Sequence, residues 1–369
     1  MPPSTCTAVV QTAPRTLELR TLPVPEITDD AALLRVEACG ICGSDHEQYT
    51  GTLTVRMPVV PGHEPLGIIE KIGDTAAKRW GVNVGDRVAV ESLIRCGRCR
   101  DCITGRYQLC RARGGLFGHG YVPLAHPPGL WGAYAEYMYL DPLSIVHPIS
   151  KHLPASVAVM FNPLGAGFRW AVEIPGTGPG DTVLILGPGQ RGLASVIAAH
   201  VAGAKTIIVT GLTRDAQKLT LARELGADHA INVEEEDLRA RVRDLTDGRG
   251  ADVVVEVSSY ALEPVAEALW CVASGGRVVL AGVKGFKPVP GFMSDLIVTK
   301  EITIQGAFGV TSRAYEQAID LLESGRVPVE KMHTHDFTLA EAETAIRTLG
   351  GEIDGVGSIH SCLLPTPGS

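Results

Sequence analysis

"DTVLILGPGQRGLASVIAAHVAGAKTIIVT" (residues 181–210) decides the fold. Its opening apolar run is short and unbroken, as in a strand covered on both faces. A glycine turn follows, then a stretch with Leu193, Val196, Ile197 and His200 at helical spacing, then a second apolar run. Strand, turn, helix and strand in that order make a βαβ unit. "ADVVVEV" (251–257), "GGRVVLAGV" (275–283) and "EITIQGAFG" (301–309) supply further strands. They alternate with the helical stretches "RDAQKLTLARELGA" (214–227) and "LEPVAEALWCVA" (262–273). The expected class is α/β, a doubly wound parallel sheet.

Gly187, Gly189 and Gly192 form G-x-G-x-x-G at the strand-to-helix turn. Glycines there let the backbone approach a pyrophosphate, and the helix N-terminus, with Gln190 and Arg191, supplies amide donors and partial positive charge. Dinucleotide binding is expected. An acid would normally follow about 20 residues later for the ribose hydroxyls. Here Thr210 and Gly211 end the second strand, and Thr213, Arg214 and Lys218 lie just beyond. A hydroxyl and a guanidinium suit a 2′-phosphate, which favours NADP, although Asp215 could still serve the ribose of NAD.

Upstream the texture is strand-like and turn-rich, with "ALLRV", "LGIIEKIG" and "VGDRVAVE" punctuated by Gly and Pro. Downstream, helices are expected near 312–325 and 339–349 and a last strand at "SIHSCLL". With 369 residues and 45% apolar content, the chain has material for two full cores. The net charge of −8 with mixed acids and bases points away from nucleic acid and toward a small-molecule partner. "MPPSTCTAVVQTAP" has no leader pattern and no run reaches membrane-spanning length, so a cytoplasmic, reducing location is expected.

Nine cysteines, four of them within "CGRCRDCITGRYQLC" (96–110), suit metal ligation better than disulfides. Cys96, Cys99, Cys102 and Cys110 have the spacing C-x2-C-x2-C-x7-C in a segment almost without apolar residues. Four thiolates can enclose one structural zinc tetrahedrally, and the site then has no open position for chemistry. An iron–sulfur run would want a shorter last gap and a following proline, whereas Arg111 follows Cys110. Reactive groups must lie elsewhere: Cys42, Ser44 and Asp45 in "ACGICGSDHEQYTG" (38–51), and His63 and Glu64 in "PGHEPLG" (61–67).

These motifs, in this order, resemble the zinc-dependent medium-chain dehydrogenase/reductase family, the alcohol and sorbitol dehydrogenase group. The resemblance implies a GroES-like β-rich catalytic domain from residues 1–162 and 307–369, carrying the zinc lobe, and a Rossmann domain from 163–306. It implies an enzyme that moves a hydride between an alcohol and NAD(P), assembled as a homodimer or homotetramer. Cys42, His63 and Glu64 would hold a catalytic zinc, Asp45 would accept the second ring N–H of His63, and Ser44 would pass on the alcohol proton. Relatives carry a third anionic ligand before "PL" where this chain has Asn162, which leaves Asn162 a distant ligand or a hydrogen-bond donor to water or substrate. The relay histidine of many relatives is replaced by Glu47, with His46 one residue earlier. His360 stands where relatives place a cation against the cofactor phosphates. Ser92 matches a pocket position compatible with a bulky secondary alcohol or ketone. "LFGHGYVPLAHPPGLW" (116–131), with Phe117, His119, Tyr121 and Trp131, either borders the pocket or packs under its own loop. The rival functions are a zinc-free quinone or enone reductase of the same fold and a non-catalytic nucleotide-binding sensor.

Overall fold

The computed structural model describes residues 2–114, 117–353 and 357–365. The chain forms two compact units: Met1–Asn162 with Leu322–Ser324 and His333–Ser369, and Pro163–Leu321 with Gly325–Met332. The second unit thus runs to Leu321, past the return at 307 expected from the sequence.

In chain order the first unit contributes β1 (Thr5–Ala13), β2 (Thr16–Pro23), β3 (Ala32–Gly40), β4 (Pro65–Ile72), β5 (Arg87–Val90), β6 (Tyr137–Leu140) and β7 (Val146–Pro148). The second unit holds β8 (Thr182–Leu186), β9 (Thr206–Gly211), β10 (His229–Asn232), β11 (Ala251–Glu256), β12 (Val272–Leu280) and β13 (Thr303–Gly306). The chain then returns to the first unit with β14 (His333–Phe337) and β15 (His360–Leu363).

The second unit is a parallel sheet in the order β10-β9-β8-β11-β12-β13, the Rossmann order. Every residue of β8 is buried, because strands flank it on both edges and the helix Gln190–Val201 packs against it. Leu184, Leu186, Ile208, Val254 and Val278 share its core. β10 went unread in the sequence: it has four residues, and only Ile231 is fully buried.

The first unit is the GroES-like, β-rich one. Its sheet runs β14-β15-β3-β4-β5-β7, with β6 also on β3, and β1 and β2 form a separate antiparallel pair. β3 is the spine, and seven of its nine residues are buried because strands pair along both its edges. Leu34, Val36, Ile69, Val88, Tyr134, Met138 and Leu363 meet in the core. The C-terminal strand β15 lies antiparallel to the end of β3, pairing Cys362 with Gly40, so the tail backs the turn that leads into Cys42.

Candidate active site and metal centres

Cys42 caps helix α1 (Gly43–Thr50), which follows directly from β3. The buried Asp45 takes the Cys42 N–H on Oδ2 at 2.8 Å and places Oδ1 3.2 Å from His63 Nδ1. One carboxylate therefore closes the helix start, where negative charge is favoured, and orients the imidazole. His63 Nε2 lies 3.2 Å from Ser44 Oγ. Burial disfavours a charged ring at His63, but the Asp45 carboxylate, helped by Tyr121, outweighs it and holds the imidazole well above its ordinary range. Glu64 is fully buried beside β3, and a Cβ on Gly40 would collide with its Oε2. The donor atoms of Cys42, His63 and Glu64 all lie within 4.8 Å of one another. Thiolate, imidazole and carboxylate gathered this closely fit zinc.

Asn162 does not offer its amide freely. Its Nδ2 donates to Ser92 Oγ at 3.0 Å, and Ser92 donates to the His63 carbonyl at 2.6 Å. The donor expected to face water or substrate thus serves Ser92, and the hydroxyl expected to line a pocket serves the backbone of His63. His46 Nε2 lies 2.8 Å from Glu352 Oε1, a carboxylate that also receives both terminal nitrogens of Arg15. Those Arg15 bonds first, and then His46, bring Glu352 down to about 2.

Tyr121 enters the site unforeseen in role: its ring lies 5.2 Å from that of His63, tilted by 31°. The signal was the glycine pair in "PGHE" and "GHGY". A Cβ on Gly120 would strike the Gly62 backbone, so only glycine lets this loop reach the histidine turn. The other aromatics of that segment pack among themselves. Phe117, His126 and Tyr139 surround Trp131 with ring centroids 5.0 to 5.8 Å away. His119 is fully buried, near Ser144 Oγ, and burial lowers it to about 4. Leu116 lies outside the described residues.

The cysteine lobe has a different character. Ile103 is 71% exposed, so no apolar core forms there. Sγ separations are 3.9 Å for Cys96–Cys102, 3.5 Å for Cys99–Cys102 and 3.6 Å for Cys96–Cys110. Four thiolates about 2.3 Å from a tetrahedral zinc stand about 3.8 Å apart, so the residues fit the ion. Backbone N–H groups of Arg98 and Cys99 pull Cys96 down to about 6, which favours a thiolate before any metal arrives. Tyr107 anchors the lobe, its hydroxyl donating at 2.9 Å to Glu91, which also meets His147 at 3.0 Å.

In the second unit, Gly187 turns at φ 112°, and a Cβ on Gly192 would strike the Gly187 carbonyl. The turn opens onto helix α2 (Gln190–Val201), with Gly189 at its N-cap in open space. That is the cradle a pyrophosphate requires. Beyond the carboxyl ends of β8 and β9 lies a cavity of about 440 Å³ lined by Leu186, Thr210, Val233, Asp237 and Pro264. Asp215 is occupied, accepting from the Leu212 N–H at 3.2 Å and from Lys218 Nζ at 2.9 Å. Lys218 is therefore tied down, while Thr213 and Arg214 are exposed. Glu234 accepts the Thr213 N–H at 2.8 Å and brings an acid to the same corner. His360, expected against the cofactor phosphates, is fully buried in the first unit with its Nδ1 2.9 Å from His333 Nδ1.

A nucleotide-binding parallel sheet joined to a β-rich unit with clustered Cys, His and Glu defines a dinucleotide-dependent oxidoreductase. Residues 192–324 match the family "Zinc-binding dehydrogenase" and residues 28–151 match "Alcohol dehydrogenase GroES-like domain". The chain is 48% identical to the "Probable alcohol dehydrogenase adh" of Mycobacterium tuberculosis (strain ATCC 25618 / H37Rv), over 97% of this chain and 98% of that protein. It is 34% identical to the sorbitol dehydrogenase of Bacillus subtilis (strain 168), over 93% of each. A Sinorhizobium meliloti 1021 protein solved bound to NADP superposes with a TM-score of 0.85 at 29% identity, covering 98% of this chain and 100% of that one. The chain belongs to the zinc-binding, alcohol dehydrogenase-like family of medium-chain dehydrogenases/reductases. It is accordingly an NAD(P)-dependent oxidoreductase of alcohols and carbonyls.

Proposed function

We propose that the chain interconverts a bulky or secondary alcohol and its carbonyl, using Cys42, His63 and Glu64 as zinc ligands and NADP in preference to NAD. The observation that carries this reading is the mutual approach of those three donors, with Ser44 and Asp45 each 3.2 Å from one nitrogen of His63. When bound, zinc supplies Lewis acidity to the substrate oxygen and the nicotinamide supplies or accepts the hydride. The chain's own residues do the rest. Asp45 fixes the ring of His63 by engaging Nδ1, which leaves Nε2 for the metal. Ser44 carries the hydroxyl proton outward, and Tyr121 and the core around Glu64 exclude water. Asn162 braces the His63 backbone through Ser92 and would serve the metal only as a distant fourth partner. Cys96, Cys99, Cys102 and Cys110 hold a second, structural zinc.

Gly187, Gly189, Gln190, Arg191 and Gly192 receive the pyrophosphate, and Thr213 with Arg214 receives the 2′-phosphate. Asp215 and Lys218 neutralise one another at that corner. A homodimer or homotetramer is supported by the exposed apolar side chains Val298 and Phe308, which lie in the chain on either side of edge strand β13. No helix among the described residues is long and apolar enough to cross a membrane. Two thiolate-bearing sites suit a reducing compartment, and we place the chain in the cytoplasm.

The test is turnover of primary, secondary and cyclic alcohols with each cofactor, together with metal analysis. Oxidation of secondary substrates with NADP, lost on removal of the catalytic zinc, is expected. Equal turnover in protein holding only the lobe zinc would overturn the metal-dependent reading in favour of a zinc-free reductase. A clear preference for small primary alcohols would remove the bulky-substrate assignment.

A further inference from the structure

A third set of metal-type donors lies at the outer edge of the first unit's sheet, on strands β14 and β15. His333, Asp336 and Cys362 bring one imidazole nitrogen, one carboxylate oxygen and one sulfur within 4.8 Å of one another. His333 Nε2 is 2.9 Å from Asp336 Oδ1, and Cys362 Sγ is 3.2 Å from the same oxygen.

The backbone is shaped to make this meeting possible. Side chains alternate along a strand, so residues 333 and 336 would ordinarily face opposite sides. The parallel pairing of β14 with β15 shifts register between His333 and His335: His333 pairs with His360, yet His335 pairs with Ser361. The extra residue re-aims His333, as bulges do, while Asp336 stays opposite Cys362. The imidazole is also oriented from behind, its Nδ1 2.9 Å from His360 Nδ1. A ligating histidine is held by a partner on its second nitrogen in just this manner. Thr334 fixes the edge further, donating to the His360 carbonyl at 2.7 Å.

We propose that His333, Asp336 and Cys362 form a third divalent-metal site, selective for zinc or a similar borderline ion, with water completing the coordination. The donor chemistry matches: nitrogen, oxygen and sulfur in a set of three suit zinc and not calcium or magnesium. Around a tetrahedral zinc, N–O and O–S neighbours stand about 3.3 and about 3.5 Å apart, so these two pairs need open by only a few tenths of an ångström, and the His333 nitrogen and Cys362 sulfur already lie within 4.8 Å. Access is from the Asp336 side, since β14 is an edge strand and the Asp336 side chain is 50% exposed, while the Cys362 sulfur forms the buried floor of the site. Binding replaces the thiol proton of Cys362 with the metal and releases that proton to solvent, with no change of oxidation state. The clip would lock the edge strand to β15, whose Ser361 carbonyl accepts the Ile41 N–H at 2.9 Å, one residue before Cys42.

The inference is independent of the catalytic reading, because neither ligand set contributes to the other. The experiment equilibrates the full chain with buffered free Zn²⁺ and counts zinc per chain in the wild type, Asp336→Asn and His333→Gln. The wild type should hold one equivalent more than either variant. Zinc should raise its unfolding temperature more than theirs. Cobalt in place of zinc should show a thiolate-to-metal absorption that Cys362→Ser diminishes. Equal zinc content and equal zinc-induced stabilisation in the wild type and Asp336→Asn overturn the proposal. Because Asp336 is half exposed, that variant keeps its fold and decides the matter even if Cys362→Ser does not fold.

Discussion

Two thiol-bearing sites in the first unit invite comparison: the lobe of Cys96, Cys99, Cys102 and Cys110, and the cluster of Cys42, His63 and Glu64. In the lobe, four clustered thiols that fit a zinc ion take the place of a hydrophobic core, with charged residues between the cysteines and Ile103 facing solvent. At Cys42 the reverse holds. A complete core of Leu34, Ile69, Val88 and Tyr134 already exists, and a buried histidine, two buried carboxylates and a half-buried thiol are set into it. Zinc in the first place would contribute to the fold. In the second it would contribute to chemistry, with the surrounding structure bearing the cost of burying polar groups.

The largest expected effect breaks the comparison on the lobe side. A structural zinc contributes on the order of 10 kcal/mol to a small module, so Cys99→Ser should cost one zinc per chain and much of the lobe's order. Thermal unfolding and metal content check this together. A variant with unchanged zinc and an unchanged unfolding temperature would show that the lobe stands on its own contacts, chiefly Tyr107 on Glu91.

The same contrast explains what could be read from sequence. The lobe is local: four ligands within fifteen residues leave their spacing in plain view, and the glycine turn at 187–192 is equally local. Short apolar runs likewise announce β3, β4, β8, β9 and β11. The cluster of Cys42, His63 and Glu64 is assembled by long-range pairing, with Gly40 against Glu64, Gly62 against Gly120, and Asn162 reaching Ser92 seventy residues away. Residue types alone did not show that Ser92 supports His63, that Tyr121 covers it, or that His360 is sealed inside β15. Short β10 and the bulge in β14 were silent for the same reason, since neither changes an apolar pattern.

The second effect falls on the cluster. Asp45→Asn keeps an acceptor for the Cys42 N–H but cannot also present a negative charge to His63 Nδ1. Altering such a partner behind a ligating histidine typically costs 10- to 100-fold in metal affinity or activity, and that range is expected here. The unfolding temperature should move far less than in Cys99→Ser. A fall as large as the lobe variant's would mean that Asp45 serves the core more than the site.

Asn162→Asp probes a smaller difference. It adds an anion beside Cys42, His63 and Glu64, and zinc loss to a chelator should slow by about tenfold, or about 1.4 kcal/mol. The same change replaces the donor that Ser92 now accepts at 3.0 Å with an acceptor. If support of the His63 backbone through Ser92 is the sole role of Asn162, zinc should leave faster, and timed chelation separates the two outcomes.

The smallest effect lies in the second unit and asks whether its exposed corner discriminates between cofactors at all. Arg214 is solvent-exposed, so its bond to a 2′-phosphate is screened and worth less than a buried charge pair. Glu234, held by the Thr213 N–H, opposes a phosphate at the same corner. Arg214→Ala should therefore raise the KM for NADP by about fivefold, just under 1 kcal/mol, and leave the KM for NAD nearly unchanged. The NADP effect should shrink as salt is added, because only the charged interaction is screened. Equal changes for both cofactors would assign Arg214 to the solvated surface. In that case Glu234→Gln would not improve NADP binding, whereas on the present reading it should, since it removes a negative charge that opposes the phosphate beside Arg214.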